Sequence, residues 1–135
     1  MIRYLVDTNI LGYFARRSFE PLLSRMEEAL DKKEVAISVI TRAETLFGLA
    51  RLDPDDKRRR TVKLILEAFP CLTWTADAAD RYGDIAAVLE KKGTSIGQLD
   101  TMIAAHALVT NLTVVTHNTK HFERVRGLTI EDWTA

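Results

Sequence analysis

The sequence predicts an α/β domain built on a mainly parallel central sheet of four to five strands flanked by helices. Short β-rich runs alternate with longer helical patterns along the whole chain, and the first run, Ile2 to Val6, is apolar with almost no interruption, as a strand buried on both faces requires. No linker, repeat or low-complexity tract divides the 135 residues, so they read as one domain spanning 1–135. With 47% hydrophobic residues, a domain of this size buries about two-thirds of the surface its unfolded chain exposes and folds without staples.

After the first strand, Asp7-Thr8-Asn9 hands over to a helix beginning near Ile10. Pro21 to Leu30 carries Leu22, Leu23, Met26, Ala29 and Leu30 at helical spacing. Val35 to Ser38 is the second strand, and Thr41-Arg42-Ala43-Glu44 has the form of a capping box opening a helix rich in apolar residues, Leu46, Phe47, Leu49 and Ala50. Asp53-Pro54 reads as an N-cap with a first-turn proline, starting a helix that runs to Phe69 and is stopped by Pro70. Cys71 to Trp74 is the third strand. Thr75 caps a helix whose apolar face is Ala78, Ala79, Tyr82, Ile85, Ala86 and Leu89, ended by Gly93. Ser95 and Gln98 form a second capping box before the apolar run Met102 to Leu108; Thr113 to Thr116 is the fourth strand and Leu128 to Ile130 a short fifth.

Several function classes are excluded or weakened by composition. Nineteen basic residues balance nineteen acidic ones, so no global field draws in nucleic acid and any such binding falls to local clusters. Those clusters are Arg16-Arg17, Lys57 to Arg60, Lys91-Lys92 and the tail Lys120-His121-Arg124-Arg126, of which the tail is the best placed for RNA. The lone Cys71, in an apolar-aromatic stretch, is expected to be a buried, reduced thiol, which points to a reducing cytoplasm. No segment approaches the ~20 apolar residues needed to cross a bilayer, so a soluble protein without membrane contact is expected. His106, His117 and His121 lack zinc-motif spacing; His106 reads as a helix residue, the other two as loop or surface residues. Neither a serine or cysteine nucleophile motif nor a glycine-rich phosphate loop is present.

The chemistry concentrates in acids at strand-to-helix junctions. Asp7 follows the first strand, Glu44 the second, Asp100 opens the most apolar helix, and Asn118 follows the fourth strand. Each alone can be a helix cap or a first-turn acid favoured by the helix dipole. Together they invite a joint account, because a parallel sheet gathers strand ends and binds ligands just beyond them. Two carboxylates about 5 Å apart would repel by about 3 kcal/mol at an effective dielectric near 20, so a cation must offset them. Hard oxygen donors select Mg²⁺, with Mn²⁺ as a substitute, and such an ion can activate water against a phosphodiester. A phosphoaspartyl enzyme on Asp7 is the poorer fit, because Asn9 stands where a second acid is wanted.

Four stretches, YLVDTNIL, ISVITRAETLFGL, IGQLDTMIAAHA and LTVVTHNTKHFERVRGLTIEDW, in this order and spacing, resemble the VapC family of bacterial toxins. These are PIN-domain ribonucleases of type II toxin–antitoxin modules. The resemblance covers nearly the whole chain and implies a PIN-like fold, with Asp7, Glu44 and Asp100 as the catalytic, metal-holding acids and Thr8 and Thr116 as hydroxyl support. Asn118 occupies the place where many PIN domains carry a fourth aspartate, which leaves one negative charge fewer for a second ion. The resemblance further implies a VapB-type antitoxin that occludes the cleft, operator DNA bound only through that antitoxin, a homodimer, and a structured RNA substrate. Likeness to enterobacterial-type members points to initiator tRNA cut in its anticodon loop. Phe14 and the helix around Phe47 are the expected antitoxin groove. The alternatives are a catalytically weak PIN-like binding module in a repressor complex, and a structure-specific DNA nuclease.

Overall fold

A computed structural model describes residues 1–135. Five parallel strands, β1 (Tyr4–Val6), β2 (Val35–Ser38), β3 (Cys71–Leu72), β4 (Thr113–Val115) and β5 (Ile130–Glu131), lie in the order β3-β2-β1-β4-β5. The helices between them are α1 (Thr8–Ala15), α2 (Glu20–Asp31), α3 (Val39–Ala50), α4 (Arg58–Ala68), α5 (Ala76–Lys91), α6 (Gln98–Thr110) and α7 (Thr119–Phe122). The expected α/β architecture with a mainly parallel sheet is therefore the observed one, and every strand pair is parallel.

Alternation along the central strands separates two cores. Tyr4, Val6, Val35, Ile37 and Val115 face one side, against Ile10 of α1, Leu22 and Met26 of α2 and Leu66 of α4. Leu5 and Val114 face the other, against Leu89 of α5, Ile103 and Ala107 of α6 and Phe122 of α7. Because β1 is covered on both faces, its apolar run had to be continuous. Chain order reverses across β1, with β2 on one side and β4 on the other. This is the switch point at which parallel sheets open a crevice beyond the strand ends.

Several helix starts differ from those read in the sequence. α3 begins three residues before the box proposed at Thr41: Ser38 is its N-cap, accepting a 3.0 Å bond from the Ile40 N–H. β2 thus passes into α3 without a loop, and Glu44 lies in the second turn, free of capping duty. α4 starts at Arg58 and not at Asp53-Pro54, which belongs to a turn. There Asp56 accepts from the Arg58 N–H at 2.9 Å and pairs with its guanidinium at 2.7 Å, while Arg59 ties α4 to the Leu49 carbonyl at the end of α3 and to the Leu52 carbonyl just beyond it. α6 is capped by neither Ser95 nor Gln98; Gly97 is its N-cap, without a side-chain bond. Thr75 caps α5 as expected, and Gly93 follows its end with φ 69°. Phe69 ends α4 in an extended conformation imposed by Pro70.

Cys71 is exposed, contrary to the expected buried thiol. β3 is a two-residue edge strand, and nothing covers the side of it on which Cys71 stands. His106 is fully buried on α6 with Nδ1 2.8 Å from Ser38 Oγ. Burial lowers its pKa, and a backbone bond to Thr73 opposes this. A neutral ring donating Nε2–H to the Thr73 carbonyl and accepting the Ser38 hydroxyl satisfies both partners.

Gly97 sits at φ 95°, ψ 151°, a region nearly closed to residues with a Cβ, and an added Cβ there would meet nothing within 4 Å. Gly97→Ala should therefore cost about 1–3 kcal/mol through backbone strain alone. Gly83→Ala, in the exposed interior of α5 with equally open space, should instead stabilise by about 0.5–1 kcal/mol. Urea unfolding midpoints moving in opposite directions check both.

Candidate metal and catalytic site

Asp7 leaves β1 and caps α1, its Oδ1 accepting the Ile10 N–H at 2.9 Å. It is only 3% exposed. Thr116, at the end of β4, is fully buried and accepts the Asn118 N–H at 2.9 Å, which leaves its hydroxyl proton for Asp7. Burial pushes the Asp7 carboxyl up to about 6, the Thr116 and Ile10 bonds pull it down, and the charges of Asp100 and Glu44 add to the rise. Of the acids read from the sequence, Asp100 and Glu44 therefore lie near enough to Asp7 for their charges to reach it.

Glu44 reaches the crevice from α3. Thr8, in the first turn of α1, donates to Glu44 Oε1 at 2.6 Å and lies 3.3 Å from the buried Thr41 hydroxyl. Asp100 enters from the first turn of α6, half-buried, its pKa raised by burial and drawn back by His121. His121 Nδ1 stands 3.6 Å from Asp100 Oδ2 and 2.7 Å from the Asn118 amide nitrogen. Two polar runs result, Thr41–Thr8–Glu44 and Asp7–Thr116–Asn118–His121–Asp100.

No three His, Cys, Asp or Glu side chains close to the spacing of a finished ligand cage. That openness suits a small hard cation, which keeps several waters and takes only one or two carboxylates from the protein. The donor set of carboxylates, hydroxyls and an amide fits such an ion, and the unbalanced charge around Asp7 favours one.

A groove of about 560 Å³ runs between α1, α3 and α4, lined by Thr8 and Glu44 together with Leu11, Leu49, Ile65 and Arg58. Phe14 does not line it as expected. It is turned into the core, edge-on to Phe69 with ring centroids 6.3 Å apart. The helix around Phe47 does line the groove, through Thr45, Gly48 and Leu49, while the Phe47 ring itself stands 65% exposed beneath the Arg51 guanidinium. Of the basic tail, Arg124 is turned onto the Thr94 and Ser95 carbonyls, and His121 faces the acids.

His121, read from the sequence as a loop or surface residue of the basic RNA-facing tail, stands instead against Asp100. Its one signal is its place three residues after Asn118, a spacing that returns a side chain to the same face once a helical turn forms.

The sequence matches the PIN domain family over residues 4–128. Over 96% of its length it is 31% identical to ribonuclease VapC2 of Rickettsia felis, covering 97% of that protein. It is 33% identical over 98% to the tRNA(fMet)-specific endonuclease VapC of Salmonella typhimurium, covering 99%. This chain is a PIN-domain protein of the VapC family. The VapC fold agrees throughout: the crystal structure of DNA-bound VapBC from Salmonella typhimurium aligns with a TM-score of 0.89 at 32% identity, over 98% of this chain and 99% of that one. PIN nucleases are metal-dependent as a family, in keeping with the donors gathered around Asp7.

The raised Asp7 pKa carries a signed consequence. A carboxyl whose folded pKa lies above its unfolded value costs stability as pH rises from about 4 through about 6, and the cost then stays constant. Metal-free Asp7→Asn, which keeps the acceptor for Ile10, should be more stable than wild type by about 2–3 kcal/mol at pH 8 and equal to it below pH 4. Chemical denaturation across this range in EDTA checks it.

Proposed function

We propose that this protein is the toxin of a type II toxin–antitoxin system, a Mg²⁺-dependent endoribonuclease folded as a single domain over 1–135. The observation that supports the reading is the buried Asp7 at the switch point of the sheet, its carboxyl pushed up by burial and by the charges of Asp100 and Glu44. Asp7 and Asp100 would hold the ion, with Glu44 completing the acidic rim, and Mn²⁺ would substitute for Mg²⁺. When bound, such an ion lowers the pKa of water and stabilises charge on a phosphodiester. Thr8 fixes the Glu44 carboxylate on the side where attacking water would lose its proton. Thr116 orients Asp7, and burial of Asp7 keeps bulk water from weakening that contact.

Initiator tRNA is the proposed substrate, supported by the names of the Salmonella typhimurium and Shigella flexneri relatives. Asn118 contributes no charge, so one protein-held ion is expected, with any second recruited by the substrate phosphate. The groove lined by Thr8, Glu44 and the apolar Leu11, Leu49 and Ile65 suits an amphipathic segment of a VapB-type antitoxin. Such a segment would reach the acids from the side. The assembled form would be a homodimer in the cytoplasm that meets operator DNA only through the antitoxin. No helix is long and apolar enough to cross a membrane.

Antitoxin-free protein with Mg²⁺ should cleave initiator tRNA, and EDTA should stop it. Asp7→Asn and Asp100→Asn should each lower the rate at least ~100-fold, as removal of a directly acting group does. Equal cleavage by wild type and both variants would overturn the site. Folded, antitoxin-binding wild type that cuts no RNA would leave the binding module as the function, and cleavage of the matching 2′-deoxy strand would make it a DNA nuclease.

A further inference from the structure

Helix α4 has two flanks of different character. Arg58, Thr61, Val62 and Ile65 turn toward the groove that Thr8 and Glu44 also line. Lys57, Arg60, Lys63 and Leu64 instead border a second, more open concavity of about 480 Å³, completed by the turn from Pro54 to Asp56. At about 100° per residue these four positions share about 120° of the helix circumference, away from the groove. The fold thus sorts a basic run that the sequence spreads around the helix. Arg58 is engaged by Asp56, and Arg59 by the Leu49 and Leu52 carbonyls, whereas none of the ion pairs in the structure includes Lys57, Arg60 or Lys63. All three are exposed.

This flank is built against its own stability. Like charges three residues apart repel along a helix, and α4 has no acid in its first turn to balance them or its positive end. Of the two acids lining the concavity, Asp56 is already paired with Arg58, which leaves Asp55 alone to face Lys57, Arg59, Arg60 and Lys63. An anion from outside would supply the missing balance. Leu64 is the one large apolar side chain exposed there, so the surface lacks the anchors that a docked peptide needs and that the groove on the other flank provides. Lys57 to Lys63 extends about 9 Å along the helix axis, enough to meet successive charges on a polyanion. The neutral total charge of the chain conceals this, because acids gather elsewhere, as Asp77, Asp80, Asp84 and Glu90 do on α5.

We propose that the Lys57–Arg60–Lys63 flank of α4 holds the phosphate backbone of the RNA substrate, away from the bond that is cut and without regard to base sequence. The proposal rests on the ribonuclease reading and deepens it. It moves the main RNA contact off the basic tail, where Arg124 is turned onto the Thr94 and Ser95 carbonyls. A segment seated in the groove would leave this flank open.

Binding of unfractionated tRNA to the Asp7→Asn protein in EDTA, followed across a series of salt concentrations, tests the proposal without metal or cleavage. The logarithm of affinity should fall linearly with the logarithm of salt, and adding Lys57→Gln, Arg60→Gln and Lys63→Gln together should weaken binding and reduce the slope by about 2–3. Neutralising Arg81, Lys91 and Lys92 to glutamine removes the same charge from the α5 side and should change the slope by less than about 1. Circular dichroism checks that both triple variants fold; the single changes Arg60→Gln and Lys63→Gln, each expected to reduce the slope by about 1, serve if the α4 triple does not. An unchanged slope in the α4 variants overturns the proposal, as does an equal loss in both triples, which would make net charge the cause. A retained tRNA slope with weakened VapB-type antitoxin binding assigns the flank to protein contact and overturns it too. Absence of tRNA binding by the Asp7→Asn parent at low salt has the same consequence. Mg²⁺-dependent cleavage by wild type is scored separately, so the ribonuclease reading can stand when this proposal falls.

Discussion

Asp7 is held out of water by the central strand of the sheet, and the cost of ionising it there must be met within a few ångströms. The Ile10 N–H and the Thr116 hydroxyl meet part of it. Two further acids nearby make the deficit worse. A folded chain gathers negative charge in a poorly solvated place only if something outside the chain completes the balance, which is why the crevice reads as a binding site and not as a set of helix caps. The neighbouring arrangements follow from this. Thr8 spends its proton on Glu44, Thr116 keeps its own for Asp7, and Asn118 takes the acceptor side of Thr116 through its backbone.

What the sequence made legible was whatever depends on the sheet. Continuous apolar runs marked β1 and β2, and an acid or amide just beyond a strand end marked Asp7 and Asn118, because parallel strands gather such positions whatever the helices do. The helix starts were harder, since several residues in a row can cap and only tertiary contacts choose among them. Ser38 displaced Thr41 because β2 needed no loop before α3. Asp56 took the turn that Asp53-Pro54 seemed to own by engaging Arg58. At Gly97 the decisive property is a backbone angle, which no side chain announces.

The same limits explain the residues that were misplaced. Cys71 has apolar neighbours in sequence, but burial depends on what packs over a strand, and β3 is a two-residue edge. Phe14 suits a docking face by residue type, yet it is turned into the core, while the helix around Phe47 lines the groove through Thr45, Gly48 and Leu49. His121 was unreadable because its role needs α6 and α7, over twenty residues apart at their starts, brought together at their N-terminal ends.

The contact between Ser38 and His106 gives the crevice a mechanical character. Ser38 ends β2 and starts the helix that carries Glu44; His106 lies on the helix that carries Asp100. Their buried 2.8 Å bond fastens the two supports together beneath the acids. Spreading the supports would strip a neutral histidine and a serine of their partners in a dry interior, a penalty of about 1–3 kcal/mol for each group left unsatisfied. The jaws are therefore stiff at the hinge and compliant only at their tips. Adjustment to one guest or another falls to side-chain rotation, and the width of the opening is inherited from the frame.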